Sequence, residues 1–207
     1  MHSSLSPIPA PPAVSTKHSV WRTSIRFTIV TTILVGLGYP LLVTGIAEAV
    51  FPRKAAGSLI LKDGQVIGSE LLAQSFTSDK YFHPRPSAAG NGYDATSSGG
   101  SNLAQSNKAL INRLQGSIDK LSQENPGHPV PIDLVTTSGS GLDPDITPDA
   151  AYFQAPRVAS AHGISEDRIR QLIGGHITRR QLGVLGEPRV NVLELNLDLD
   201  AVHPVHH

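Results

Sequence analysis

The stretch FTIVTTILVGLGYPLLVTGIA, Phe27 to Ala47, carries no charged residue over 21 positions. At about 1.5 Å of rise per helical residue it is long enough to cross a hydrocarbon core of roughly 30 Å. Trp21, Arg22 and Arg26 precede it, and Glu48, Phe51, Arg53 and Lys54 follow it, so aromatic and charged anchors flank both ends. Residues 22–50 therefore read as a transmembrane helix. The competing reading is a cleaved signal peptide ending at the small residues Ala47 to Ala49. Its apolar region would span only about 7–15 residues, which favours a retained anchor. Tyr39-Pro40 predicts a kink, and Pro inside a span implies neighbouring helices that satisfy the freed backbone. Lys17, Arg22 and Arg26 on one side balance Arg53, Lys54 and Lys62 on the other, so charge leaves the orientation open.

Ahead of the span, residues 1–21 are rich in Pro and Ser and read as a disordered tail. The whole chain has 207 residues, no net formal charge and 16% charged residues, a balance that points away from nucleic acid. Cysteine is absent, which excludes disulfides and thiol catalysis. Residues 51–200 then form one mixed α/β soluble domain, making the chain α+β behind a single span, and residues 201–207 a flexible tail.

Asp63-Gly64 between two apolar runs predicts a tight hairpin over Leu59 to Gly68. From Tyr81 to Asn107 the chain is punctuated by Pro, Gly and Ser and has neither helical nor strand periodicity. Loops of that length are functional or disordered, and Tyr81, Phe82 and Tyr93 argue for order. Asn102 and Gln105 resemble a capping pattern, so a helix is expected from Leu103 to Gln123, with Leu110, Ile111, Leu114, Ile118 and Leu121 on one face. Ile132 to Thr136 reads as a short strand. Thr147 and Pro148 open a helix towards Ala161 that Gly163 ends, and Ser165 caps another that Gly174-Gly175 limits. Val190 to Leu199 alternates well enough to be a strand.

The segment TTSGSGLDPD, Thr136 to Asp145, could present backbone N–H groups to an anion. It lacks the Gly-Lys-Ser/Thr of a phosphate loop, and Asp143, Asp145 and Asp149 repel phosphate, so a turn leading into a capped helix is the favoured reading. Those three aspartates form a locally acidic stretch expected to concentrate cations. The nine histidines show no metal-ligand spacing, and no metal site or catalytic residue is assigned. A hydrolase using the Ser/Gly loop and a solute-binding module are the alternatives from other classes.

Taken in order, YFHPRPSA, GYDATSSGGSNL, VTTSGSGLDPDI, QAPRVA and LGEPRVNVLELNLDL, behind a single span, resemble the C subunit family of Kdp-type potassium-transporting ATPases. The resemblance implies a non-catalytic accessory subunit of a high-affinity, ATP-driven potassium uptake pump, stabilising the complex and tuning its ATP use or potassium entry. It implies as partners a channel-like potassium-selective subunit, a P-type catalytic subunit, a small membrane subunit and the lipid bilayer. The N-terminus would be cytoplasmic and the folded domain outside the bacterial inner membrane. The chain would have no cofactor of its own, potassium being handled by the complex. Nucleotide contacts would map to Ser138, Ser140, Gly141 and Gln154. The long loop would dock on the channel-like subunit through Arg85, Tyr93, Asp94, Ser101 and Asn102. In agreement, the Asp-Lys-Thr of a phosphorylated subunit is missing, the nearest string being Ser78-Asp79-Lys80-Tyr81.

Overall fold

The computed structural model describes residues 17–202, in two compact units divided between Ala56 and Gly57. In the first unit, α1 (Lys17–Thr31) and α2 (Tyr39–Val50) are joined through a π-helical segment, Thr32–Gly38, and α3 (Pro52–Ala55) follows. The π segment has a physical cause. Pro40 cannot donate a backbone hydrogen bond and its ring crowds the carbonyl four residues earlier, so the turn before it widens. The Tyr39 N–H accordingly reaches back five residues, to the Leu34 carbonyl. The resulting helix, Val20–Val50, is long and apolar enough to cross a membrane. Its large side chains, Leu34, Leu41 and Leu42 among them, are exposed along the helix. The helix already begins at Lys17, ahead of the boundary at residue 22 read from composition, while residues 1–16 and 203–207 of the expected tails lie outside the described residues.

The second unit is mixed α and β. It opens with the expected hairpin: β1 (Leu59–Lys62) pairs antiparallel with β2 (Gln65–Ser69) across Asp63-Gly64. A second sheet has strand order β3-β5-β4, with β3 (Asp145–Ile146) and β4 (Ile177–Thr178) both antiparallel to β5 (Arg189–Asn191). Around it lie α5 (Pro148–His162), α6 (Glu166–His176) and α7 (Val192–Val202), and α4 (Lys108–Glu124) follows the long loop. The core is built from Phe82, Ile146, Val158, Ile169, Ile173, Val190, Val192, Leu195 and Leu199. At about 25 cal/mol per Å² of apolar surface, burial of these side chains is the main term holding α5, α6 and α7 on the sheet.

Capping residues set the helix ends. Thr147 accepts the Ala150 N–H, Pro148 occupies the first turn of α5, and Gly163 ends it in the left-handed region at φ 65°. Three expectations need correction. The long amphipathic helix starts at Lys108, because Asn107 caps it by accepting the Ala109 N–H, whereas Asn102 has φ 51° and cannot begin a helix. Ile132 to Thr136 is no strand: Ile132–Leu134 is a 3-10 turn, fixed by the Asp133 carboxylate, which accepts the Thr147 N–H at 2.8 Å. Beyond Asn191 the expected terminal strand is helix α7, whose start is set by the Asn191 side chain accepting the Glu194 N–H. In addition, α6 runs through Gly174-Gly175 to His176.

Candidate functional site, a clamped loop

The Tyr81 to Asn107 segment contains neither helix nor strand and is nonetheless fixed at one end by two amide side chains. Asn196 of α7 accepts the Phe82 N–H at 2.8 Å and donates to the Phe82 carbonyl at 3.0 Å. Gln154 of α5 does the same for the next residue, accepting the His83 N–H at 2.8 Å and donating to the His83 carbonyl at 3.1 Å. Both amides are almost wholly buried, at 2% and 1% exposed, and Phe82 between them is fully buried. Buried backbone groups left without partners are costly, so two consecutive irregular residues can enter the core only if side chains complete their hydrogen bonds.

Arg157, one turn after Gln154, extends the clamp. Its guanidinium donates to the Gln154 Oε1 at 2.8 Å, to the Tyr81 carbonyl at 3.0 Å and to the Asp79 carbonyl, and pairs with Glu124 at the end of α4. His162 bonds the Lys80 carbonyl at 2.9 Å, and the Tyr81 hydroxyl donates to Asp200 at 3.0 Å. Burial, with the Arg157 guanidinium as the second cause, holds the His83 imidazole below its ordinary pKa.

The Ser/Gly loop holds the middle of the segment, between Ser87 and Gly99. The Ser87 hydroxyl donates to the Gly141 carbonyl at 2.6 Å and accepts the Tyr93 N–H at 2.8 Å. The Ser140 carbonyl accepts from the Gly99 N–H at 2.8 Å and the Ser98 hydroxyl at 3.0 Å, while the Ser140 hydroxyl accepts the Leu142 N–H. The Gly141 N–H donates to the Ser138 carbonyl, and the Ser138 hydroxyl, nearly buried, lies 3.5 Å from that of Ser140. Only glycine fits at position 141: φ is 68°, and a Cβ would sit 2.6 Å from the Gly99 oxygen and 2.7 Å from the Ala89 nitrogen. Ser138, Ser140 and Gly141 are thus brought together against the long loop. Gln154 is occupied at His83, and no hydrogen bond joins it to those three among the described residues.

Of the five expected docking residues, two face inward. Arg85 donates to Asp143 at 3.3 Å, to the Thr136 hydroxyl at 3.3 Å and to the Thr137 carbonyl at 3.4 Å, and the Tyr93 hydroxyl donates to the Arg85 carbonyl at 2.8 Å. Asp94 and Asn102 are exposed and Ser101 half-buried. Asp94 accepts from the Thr96 hydroxyl and N–H, which hold its carboxyl below the usual carboxylate range. The acidic stretch is largely balanced, since Asp143 pairs with Arg85 and Asp145 with Arg189 at 2.9 Å. Asp149 lies in the first turn of α5, where the helix dipole favours a negative charge. Burial nonetheless raises the Asp145 pKa against the pull of Arg189. Among the described residues no group of three or more His, Asp or Glu could hold a metal ion.

Sequence reading missed Asn196, Ser87 and Arg157. In the strand-like alternation Asn196 is simply one of the polar positions with Glu194 and Asp198, and it stands out only on a helical face, beside Val192, Leu195 and Leu199.

The clamp's parts come from YFHPRPSA, VTTSGSGLDPDI, QAPRVA and VNVLELNLDL, and comparison with known proteins covers all of them. Residues 21–201 match the family model described as KdpC, K+-transporting ATPase, c chain. The chain is 57% identical to the potassium-transporting ATPase KdpC subunit of Acidobacterium capsulatum, over 88% of this chain and 98% of that protein. It is 54% identical to the KdpC subunit of Koribacter versatilis, over 88% and 95% of the two chains. With that of Rhodopseudomonas palustris BisB18 the identity is 56%, over 87% and 96%. A match that runs from the start of the span through the last helix at this identity leaves one conclusion: the chain belongs to the KdpC family of potassium-transporting ATPase c chains.

Proposed function

We infer that the chain is a non-catalytic, membrane-anchored accessory subunit of a potassium-transporting ATPase, and that the clamped loop is a preformed surface for another subunit. One observation carries the second part. Two buried amides, an arginine and a Ser/Gly loop all fix the shape of an irregular segment whose tip stays exposed. Preorganised loops bind with less ordering cost than mobile ones. In this reading Arg85 and Tyr93 shape the loop, while Asp94, Ser101 and Asn102 touch the partner, a channel-like potassium-selective subunit. A P-type catalytic subunit and a small membrane subunit complete the complex. The N-terminus is cytoplasmic and residues 51–200 lie outside the inner membrane.

Of the groups that the family resemblance assigns to nucleotide, the Gln154 amide is engaged at His83, the Ser140 hydroxyl accepts the Leu142 N–H, and the Gly141 carbonyl accepts from Ser87 of the long loop. In this reading the influence of the chain on ATP use is indirect and passes through its partners, with Gln154 committed to the loop backbone as the supporting observation. The test has two arms. Asp94→Ala with Asn102→Ala should weaken assembly and potassium uptake; unchanged assembly and uptake would remove the docking reading. Labelled nucleotide should not bind the full-length chain in detergent, and stoichiometric binding would restore a direct role.

A further inference from the structure

Thr178 to Glu187 is the longest exposed run between residues 57 and 201. It connects β4 to β5, which pair antiparallel, so it extends their hairpin beyond the sheet. It is well formed. Gln181 and Leu185 exchange backbone hydrogen bonds of 2.8 and 2.9 Å, Val184 N–H donates to the Gln181 carbonyl, and an Arg180–Glu187 ion pair closes the base. Its tip presents Leu182, Val184 and Leu185, exposed by 90%, 73% and 55%. Leu182 also has φ 52°, a left-handed conformation rarely adopted by a residue with a bulky side chain. This leucine thus combines an unfavourable backbone conformation with an almost fully exposed apolar side chain among the described residues.

The surrounding charges say what would cover the tip. Arg180 is taken by Glu187 and Arg189 by Asp145. Arg179 alone is exposed with no ion pair or side-chain hydrogen bond to the other described residues. A loop that enters lipid headgroups would carry a cluster of free cations and Trp or Tyr at its edge, whereas here Arg179 is a single free cation and neither aromatic occurs. An apolar centre inside a rim of paired charges is the anatomy of a protein interface.

We propose that the Arg179–Glu187 hairpin is a plug that seats in an apolar socket on another subunit of the pump, with a carboxylate at the socket's rim meeting Arg179. The inference rests on the accessory-subunit reading and adds a second contact, separate from the clamped loop. To test it, a photo-reactive phenylalanine analogue is placed at position 182 of the full-length chain, and the native membrane is irradiated. The result expected is an adduct with another subunit. Cross-linking to lipid alone, to a second copy of this chain, or to nothing while the complex stays intact overturns the plug. Loss of all other subunits from the purified wild-type chain would instead overturn the accessory-subunit reading, so the two failures are distinct. Leu182→Ser combined with Val184→Ser should lower recovery of the intact complex at least tenfold while leaving the chain's own melting temperature unchanged. Unchanged recovery counts against the plug. Arg179→Glu should weaken assembly more than Arg179→Lys, and equal effects would remove the rim carboxylate.

Discussion

Gln154 and Asn196 do the same work from two helices: each completes both backbone hydrogen bonds of one loop residue inside the core. Replacing Gln154 by Leu keeps the volume and strands the His83 N–H and carbonyl as well as one Arg157 donor. At about 1–3 kcal/mol for each buried unsatisfied group, a loss of about 3 kcal/mol is expected, read as a lower melting temperature of the detergent-solubilised chain. A loss below about 0.5 kcal/mol would mean the amide is not structural. His83 gives a pH signature. Its folded pKa lies below the unfolded value of about 6.5, so the unfolded chain binds the proton more tightly. Its contribution is intact above about pH 6.5 and is lost as pH falls below that towards the folded pKa. A thermal-melt series across that window should show wild type losing stability relative to His83→Gln on acidification, and a constant gap would contradict it. Gln154 drew a nucleotide role only from the family resemblance, since a side-chain amide aimed at a distant backbone leaves no trace in spacing.

Among the elements, those with local signals were legible. Asp63-Gly64 marked the hairpin, and Thr147, Pro148 and Gly163 marked both ends of α5, because turns and caps are settled by residues a few positions apart. Replacing Thr147 by Ala should cost about 1 kcal/mol through the lost cap, measured by the same melt. Tertiary contacts decided the rest. Leu193, Leu195, Leu197 and Leu199 alternate as in a strand, yet Val192, Leu195, Asn196 and Leu199 also fit one helical face, and Asn196 is buried because the Phe82 backbone needs it. Ile132 to Thr136 looked like a strand until Asp133 captured the Thr147 N–H. Gly141 belongs to this scale as the point where two loops touch. Gly141→Ala forces a Cβ into backbone atoms of both Gly99 and Ala89. The loop should come off the Ser/Gly segment, with limited proteolysis newly cutting between residues 87 and 101. An unchanged cleavage pattern would show that the close approach does not hold the loop.

At the scale of the whole molecule, the two units carry one account: a helix long and apolar enough to cross a membrane, and a mixed α and β domain with two proposed contact surfaces, the clamped loop and the β4–β5 hairpin. The span was read from 21 uncharged positions, since crossing a bilayer is a demand on composition alone. The hairpin's exposure was not readable, because exposure is decided by where the remaining chain packs. Absence of cysteine makes orientation simple to check. Ser160→Cys, at an exposed site, should react with a membrane-impermeant maleimide added outside intact cells, and protection there would reverse the proposed topology. The most direct test of the central claim is affinity isolation of the full-length chain from its native membrane in mild detergent, followed by identification of what accompanies it. The account predicts a P-type catalytic subunit and a channel-like subunit in fixed proportion to a chain that retains its span. Recovery of this chain alone, trimmed near Ala49, would contradict it.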